Sequence, residues 1–125
     1  MKMKMKKLLK IQNNYNKKVY GDRQITQEEV EKYTQELALC AHSEISSLVT
    51  ATQYRKHHAS NDDRNIDKSK ILYESVDVIR YIMAIMNLWE IDPSKFETAF
   101  NKKDIYLNER KRIDENPWKG QPVII

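Results

Sequence analysis

Residues 74–89 read ESVDVIRYIMAIMNLW, and this stretch decides the fold class. Between Val76 and Met86 the residues are apolar on nearly every side of a helix, with Asp77 and Arg80 as the exceptions. Helical periodicity extends over residues 68–89. The pattern therefore predicts a central, buried helix.

Start signals on both sides of this stretch predict two further long helices. Upstream, Thr26 and Glu29 form the S/T-x-x-E pattern of a capping box, and apolar residues at three- and four-residue steps predict a helix over about 27–57. Downstream, Asp92-Pro93 joins a good N-cap to a proline at the first helical position, which predicts a helix over about 93–113. Weak periodicity over residues 8–20 predicts a short first helix.

Composition agrees with a helical protein and excludes other classes. The 125 residues suit one domain and contain only 2 Gly and 3 Pro, too few for the turns of a sandwich or barrel or for a glycine-rich phosphate loop. No apolar run approaches the ~20 residues of a membrane helix. The single cysteine, Cys40, is expected to be buried and fits a reducing compartment. We expect an all-α four- to five-helix bundle in the cytoplasm.

The charge of the chain points to no specific partner. The formal net charge is +4, and part of the excess lies in residues 1–7. A nucleic-acid-binding helical protein would account for the pI of about 9.1 and for the basic run RKHH at residues 55–58. That alternative leaves acidic residues on apolar helices unexplained, so we expect neither a nucleic-acid nor a membrane partner.

Three acidic residues on apolar helices are candidates for chemistry. Glu74 and Asp77 are separated by three residues and therefore share one face of their helix. Because their helix is apolar, we expect both carboxylates to be mostly out of water. Burying them requires a cation, for which Arg80 and a divalent metal are the candidates. An antiparallel neighbouring helix would bring Glu44 to them. Three carboxylates suit Mg²⁺ or Mn²⁺, whereas the histidines and Cys40 lack the spacing of a zinc site.

The order of these motifs resembles the all-α nucleoside triphosphate pyrophosphatases, which include MazG, the dimeric dUTPases and the dCTP pyrophosphatases. The family pattern is E-x-x-E, a variable connection, E-x-x-D and a lysine-led phosphate-binding stretch. The matching segments here are HSEISSL (42–48), ESVDVIRY (74–81) and KKDIY (102–106). The resemblance covers residues 8–112, and residues 15–58 look most like phage-type members, which would place the protein in a host cytoplasm.

The resemblance implies a role for each matching residue. Four would hold Mg²⁺, with Mn²⁺ as a substitute: Glu44, Ser47, Glu74 and Asp77. Ser47 stands where the family has its second E-x-x-E acid, and Tyr106 replaces the family's usual asparagine. Glu44 or Glu74 would orient the attacking water or take its proton. The residues implied to contact the substrate are Tyr54, Tyr81, Lys102, Lys103, Asp104 and Arg110.

The implied activity is Mg²⁺-dependent hydrolysis of a (deoxy)nucleoside triphosphate to a nucleoside monophosphate and pyrophosphate. Relatives pack their helices across a homodimer or a dimer of dimers, and we expect the same here. Since Ser47 leaves only three carboxylates, the alternative is a degenerate, non-catalytic MazG-like module that dimerises or regulates an attached domain.

The expected domain organisation has three parts. Residues 1–25 form a basic N-terminal segment, and residues 26–113 form the MazG-like domain. Residues 114–125 contain the linker NPWKGQP followed by the apolar run VII. Some phage proteins of this type continue from such a linker into a haloacid-dehalogenase-like phosphatase domain, so we expect these residues to begin a truncated second domain.

Overall fold

The computed structural model describes residues 2–52 and 66–113, and within those ranges it contains four α-helices and no strand. The helices are α1 (Lys2–Tyr20), α2 (Gln27–Ala51), α3 (Lys68–Leu88) and α4 (Pro93–Ile113). The all-α prediction is confirmed. None of the described helices combines the length and the apolar character needed to cross a membrane. The basic run at residues 55–58 and the linker at residues 114–125 lie outside the described residues.

The capping hydrogen bonds that the sequence predicts are present at the N-termini of α2 and α4. At α2, the Thr26 hydroxyl accepts a hydrogen bond from the Glu29 backbone N–H at 3.2 Å, and the Glu29 carboxylate accepts one from the Thr26 N–H at 3.1 Å. Arg23 also pairs with Glu29 at 2.5 Å. This hydrogen bond is the main reason why the pKa of Glu29 lies below its ordinary value. At α4, the Asp92 carboxylate accepts from the Ser94 N–H at 2.8 Å, so the capping box and the Asp92 cap are both confirmed.

Two compact units make up the chain, one from Met1 to Glu90 and the other from Ile91 to Ile125. In the first unit, α1 and α2 both pack against α3. Near the start of α2, the Thr34 hydroxyl accepts a hydrogen bond from Trp89 Nε1 at 2.8 Å, just beyond the end of α3. Farther along α2, Glu44 lies beside Glu74 in the first half of α3. The two helices are therefore antiparallel, which is the arrangement that brings Glu44 to the acids of α3.

The core of the first unit is small and made of medium-sized side chains. Its buried apolar residues are Leu9 from α1, Val30, Ala41 and Ala51 from α2, and Met83, Ala84, Met86 and Leu88 from α3. The prediction that α3 is buried all round is wrong, because Val76, Ile79 and Ile82 are 41%, 52% and 46% exposed. Two neighbouring helices cover only part of the circumference of α3. Cys40 is also exposed, contrary to expectation, because Ala41 takes the core position beside it.

Candidate active site

The three predicted acids come together at the packed faces of α2 and α3. Glu44, Glu74 and Asp77 each offer a carboxylate oxygen, and these oxygens lie within 4.8 Å of one another. Glu44 and Glu74 are half-buried, whereas Asp77 is exposed, so the expectation that Asp77 is largely out of water is wrong. We call these three residues the acidic cluster. It results from the i, i+3 spacing on α3 and the antiparallel approach of α2.

The electrostatics of the acidic cluster favour a bound proton or cation. A hydrogen bond with Glu74 raises the pKa of Glu44, and partial burial and the negative charges of Glu74 and Asp77 act in the same direction. Within residues 2–52 and 66–113, the structure records no ion pair between these acids and a basic side chain. Carboxylates held this close repel one another when ionised, so an added cation would reduce this repulsion.

Arg80, one of the two candidate cations, forms no ion pair with these acids in the described residues. Its Nε donates a hydrogen bond to Gln12 Oε1 at 2.6 Å, and its guanidinium carbon lies 5.6 Å from the centre of the Tyr15 ring. Gln12 Nε2 in turn donates to Asn16 Oδ1 at 3.1 Å, and Asn16 Nδ2 donates to the Ala84 carbonyl at 3.2 Å. Arg80 is therefore oriented by its contacts with α1 and not by the acidic cluster.

A cavity of about 420 Å³ opens beside Asp77 and is walled by all three helices of the first unit. We call it the Tyr81 pocket. Its lining combines aromatic rings, aliphatic side chains, amides and charged groups: Gln12, Tyr15, Asn16, Val19, Tyr20, Leu37, Asp77, Arg80, Tyr81 and Ala84. A concave site with apolar walls and a few convergent polar groups is typical of small-molecule binding.

Tyr81 lines this pocket and lies close enough to Glu44 and Asp77 to be affected by their charges. Its pKa is raised, first by burial and then by the negative charge that Cys40, Glu44, Asp77 and Tyr15 carry when ionised. The hydroxyl therefore keeps its proton at neutral pH and serves as a hydrogen-bond donor. The resemblance placed this residue against the nucleotide, and the structure places it in a pocket next to the acids.

A smaller cavity, of about 280 Å³, adjoins the cluster at Glu74. We call it the hydroxyl pocket, and its lining residues are Ser43, Ser46, Ser47, Thr50, Lys70 and Glu74. The Ser47 hydroxyl, at the position of the missing acid, donates a hydrogen bond to the Ser43 carbonyl at 3.4 Å. Its oxygen retains acceptor capacity, so Ser47 adds a polar group to this pocket without adding charge.

The remaining predicted substrate residues lie on α4 or outside the described ranges. Lys102, Lys103, Asp104 and Arg110 belong to α4, in the unit from Ile91 to Ile125. In that unit the Lys103 ammonium lies 5.6 Å from the centre of the Tyr106 ring, and Arg110 Nη1 donates to the Tyr106 hydroxyl at 3.2 Å. Tyr106 thus brings the two cations onto one face of α4. Tyr54 lies outside the described residues.

Three residues that line the pockets beside the cluster were not predicted from the sequence. Gln12 and Asn16 are 5% and 7% exposed, and they occupy an i, i+4 pair on a helix whose periodicity is weak. That spacing was the available signal for a buried amide pair. Lys70 precedes Glu74 by one helical turn, which places it on the same face as the first acid of E-x-x-D.

Comparison with known proteins gives a match at the level of the family. A family model described as dUTPase matches residues 4–115, which is most of the chain. No curated protein and no solved structure matches it. The matched range includes every member of the acidic cluster and both pockets beside it.

Proposed function

The chain belongs to this dUTPase family, and from that premise we propose that it is a Mg²⁺-dependent nucleoside triphosphate pyrophosphohydrolase. The proposed substrate is a deoxynucleoside triphosphate, with dUTP as the first to test, and the products are the monophosphate and pyrophosphate. The proposal rests on the acidic cluster, in which three carboxylate oxygens from two helices lie within 4.8 Å of one another. A negatively charged triphosphate approaches such a cluster only when cations accompany it.

The donor set of the cluster suits magnesium. Carboxylate oxygens are hard ligands that Mg²⁺ and Mn²⁺ accept, whereas neither a thiol nor an imidazole belongs to the cluster. Glu44, Glu74 and Asp77 would hold the ion. When bound, Mg²⁺ would neutralise phosphate charge and make the attacking water more acidic.

The carboxylates of the chain supply the proton acceptor. The attacking water oxygen forms a bond to the α-phosphorus, while the bond from that phosphorus to the oxygen that bridges the α and β groups breaks. Glu44 or Glu74 accepts the proton that the water loses.

The Tyr81 pocket is the proposed site of the nucleoside. It shares Asp77 with the acidic cluster, so a nucleoside there would have its 5′ phosphates directed to the acids. Tyr81 would donate a hydrogen bond to the sugar or the α-phosphate. The rings of Tyr15 and Tyr20 and the amides of Gln12 and Asn16 offer stacking and hydrogen-bonding groups for a base.

Roles for the residues of α4 and for Tyr54 rest on the resemblance. We propose that Lys102, Lys103, Asp104 and Arg110 bind phosphates and sugar and that Tyr54 stacks on the base. Tyr106 supports this proposal, because its contacts with Lys103 and Arg110 keep two cations on one face of α4.

A homodimer or a dimer of dimers is proposed on the exposed apolar face of α3. Leu72, Val76, Ile79 and Ile82 recur at three- and four-residue steps, and each is at least 41% exposed. Apolar side chains in a continuous stripe mark an interface more often than a solvated surface. A second copy of the chain would cover this stripe.

A second candidate function is a non-catalytic module that keeps the fold for assembly. The observation in its favour is Ser47, which leaves three acids where the family has four. The two candidates differ in one respect that is easily measured, because a module without catalysis leaves every triphosphate intact.

The test is release of monophosphate and pyrophosphate from a panel of ribo- and deoxynucleoside triphosphates with Mg²⁺ or Mn²⁺. Glu74→Gln removes one acid of the cluster, and Glu31→Gln, at an exposed position of α2, is the matched control. Both products should appear with the wild type and Glu31→Gln and be lost with Glu74→Gln. Intact substrates throughout would refute the enzymatic proposal, and activity gained by Ser47→Glu would then identify a decayed site.

A further inference from the structure

The two pockets open at successive levels along α3. Lys70 and Glu74 line the hydroxyl pocket, and the α3 residues from Asp77 to Ala84 that line the Tyr81 pocket follow, so the pockets meet the acidic cluster at Glu74 and at Asp77. All of these residues belong to the single unit from Met1 to Glu90. A ligand with a nucleoside in the Tyr81 pocket and its first phosphate at the acids therefore has its remaining phosphates directed toward the hydroxyl pocket.

The hydroxyl pocket contains the groups that bind phosphate oxygens. Lys70 contributes an ammonium group with three donors, and four hydroxyl side chains of α2 line the same pocket: Ser43, Ser46, Ser47 and Thr50. Within the part of the chain that the structure describes, Lys70 forms no ion pair, although Glu74 lies one turn away. Its ammonium group lines the pocket, where it can contact a bound anion.

Ser47 changes the charge of this pocket. A glutamate at this position would give the pocket two carboxylates, Glu74 and its own, against one ammonium group. With Ser47 the charges of Lys70 and Glu74 balance, and a neutral hydroxyl lines the same pocket. A balanced pocket repels a phosphate group less than an acidic one does, and it attracts a further metal ion less.

We propose that the hydroxyl pocket binds the pyrophosphate that leaves in the reaction, with Lys70 as its main cation. This inference rests on the proposed function. With a fourth carboxylate at position 47, this pocket would need an additional metal ion to bind pyrophosphate. With Ser47, Lys70 supplies the positive charge instead. When the bond to the α-phosphorus breaks, the electron pair stays on the bridging oxygen of pyrophosphate, and the added negative charge develops next to Lys70.

Binding of inorganic pyrophosphate tests the assignment without any turnover. Pyrophosphate is titrated calorimetrically into the full chain, with and without Mg²⁺, for the wild type, Lys70→Gln and the control Lys68→Gln. Lys68 lies two residues away at an exposed position and does not line the pocket. Loss of one charge-assisted contact should weaken binding by about tenfold or more in Lys70→Gln, and Lys68→Gln should bind like the wild type.

Three results would overturn the assignment: equal affinity of Lys70→Gln and the wild type, an equal loss in both lysine variants, or a wild type that binds no pyrophosphate. Far-UV circular dichroism checks that each variant is folded. Ser47→Glu is the second variant, and its added carboxylate should weaken pyrophosphate binding in the absence of metal and increase the number of bound Mn²⁺ ions counted by electron paramagnetic resonance. Unchanged values for both would equally contradict the proposal.

The panel of triphosphates separates this proposal from the proposed function. If no triphosphate is hydrolysed while Lys70→Gln still weakens pyrophosphate binding, the proposed function fails and the pyrophosphate site stands. If hydrolysis occurs and Lys70→Gln alters neither pyrophosphate affinity nor inhibition by pyrophosphate, the assignment of the hydroxyl pocket fails and the proposed function stands.

Discussion

Replacing Asn16 by alanine is expected to weaken the attachment of α1 to α3. The Asn16 amide is 7% exposed, accepts a hydrogen bond from Gln12 and donates one to the Ala84 carbonyl. Each bond contributes about 1 kcal/mol to the free energy of unfolding, so losing both costs about 2 kcal/mol. The higher helix propensity of alanine returns about 0.5 kcal/mol. The net destabilisation is therefore about 1.5 kcal/mol.

Urea denaturation followed by far-UV circular dichroism measures this change, at one protein concentration because an oligomer would couple stability to concentration. With an m-value of about 2 kcal/mol/M, the midpoint for Asn16→Ala should fall by about 0.8 M. Asn14→Ala is the matched control, since Asn14 lies on the same helix and is exposed. It should keep or slightly raise the midpoint. Equal midpoints for the two variants would refute the role of the buried amide.

Three further predictions concern the turn after α3, the start of α2 and the acidic cluster. Glu90 has a φ of 52°, so Glu90→Gly should stabilise the protein by about 0.5–1 kcal/mol, and a lower melting temperature would contradict this. Because the hydrogen bond from Arg23 lowers the folded-state pKa of Glu29, the resulting stabilisation is present above the unfolded pKa of about 4.3 and is lost as the pH falls. Urea titrations between about pH 5 and about pH 2 should therefore show a smaller loss of stability in Arg23→Gln than in the wild type. Mg²⁺ at 100 times its Kd should stabilise the wild type by about 2.7 kcal/mol and raise its melting temperature, but not that of Glu74→Gln; equal shifts would place the ion elsewhere.

Helix positions could be predicted because their signals are local. Thr26 and Glu29 form a capping box within four residues, and Asp92-Pro93 specifies a helix start within two. The helix predicted from residue 27 was expected to end near residue 57, which lies outside the described residues. Within the described residues, α2 ends at Ala51. Such signals depend on neighbouring residues in the chain and need no knowledge of the tertiary packing.

Burial was predicted less well because it depends on the number and position of neighbouring helices. Val76, Ile79 and Ile82 have the periodicity of a core, yet about half of each side chain is exposed in the single chain. Cys40 and Ala41 are adjacent on α2, and periodicity alone did not decide which of them faces α3. A hydrophobic pattern identifies the surfaces that need a partner but not the partner.

In the candidate site, too, the features set by local spacing could be predicted and those set by tertiary packing could not. The i, i+3 spacing of Glu74 and Asp77 determined that they share a face, and an antiparallel α2 was enough to bring Glu44 to them. The partner of Arg80 could not be predicted, because Gln12 is 68 residues away in the chain and belongs to a helix with weak periodicity. The hydroxyl pocket required the alignment of Ser47 with Lys70 across two helices, which no local pattern specifies.

The exposure of Cys40 makes the acidic cluster accessible to spectroscopy. It is the only cysteine in the chain and lies four residues before Glu44 on α2, a rise of about 6 Å along the helix axis. A nitroxide attached to this thiol would be positioned close to any ion held by the cluster, and a paramagnetic Mn²⁺ there would shorten its electron relaxation. In a homodimer the same label would report the distance between the two sites. One naturally placed thiol thus allows metal occupancy and subunit geometry to be measured without introducing another cysteine.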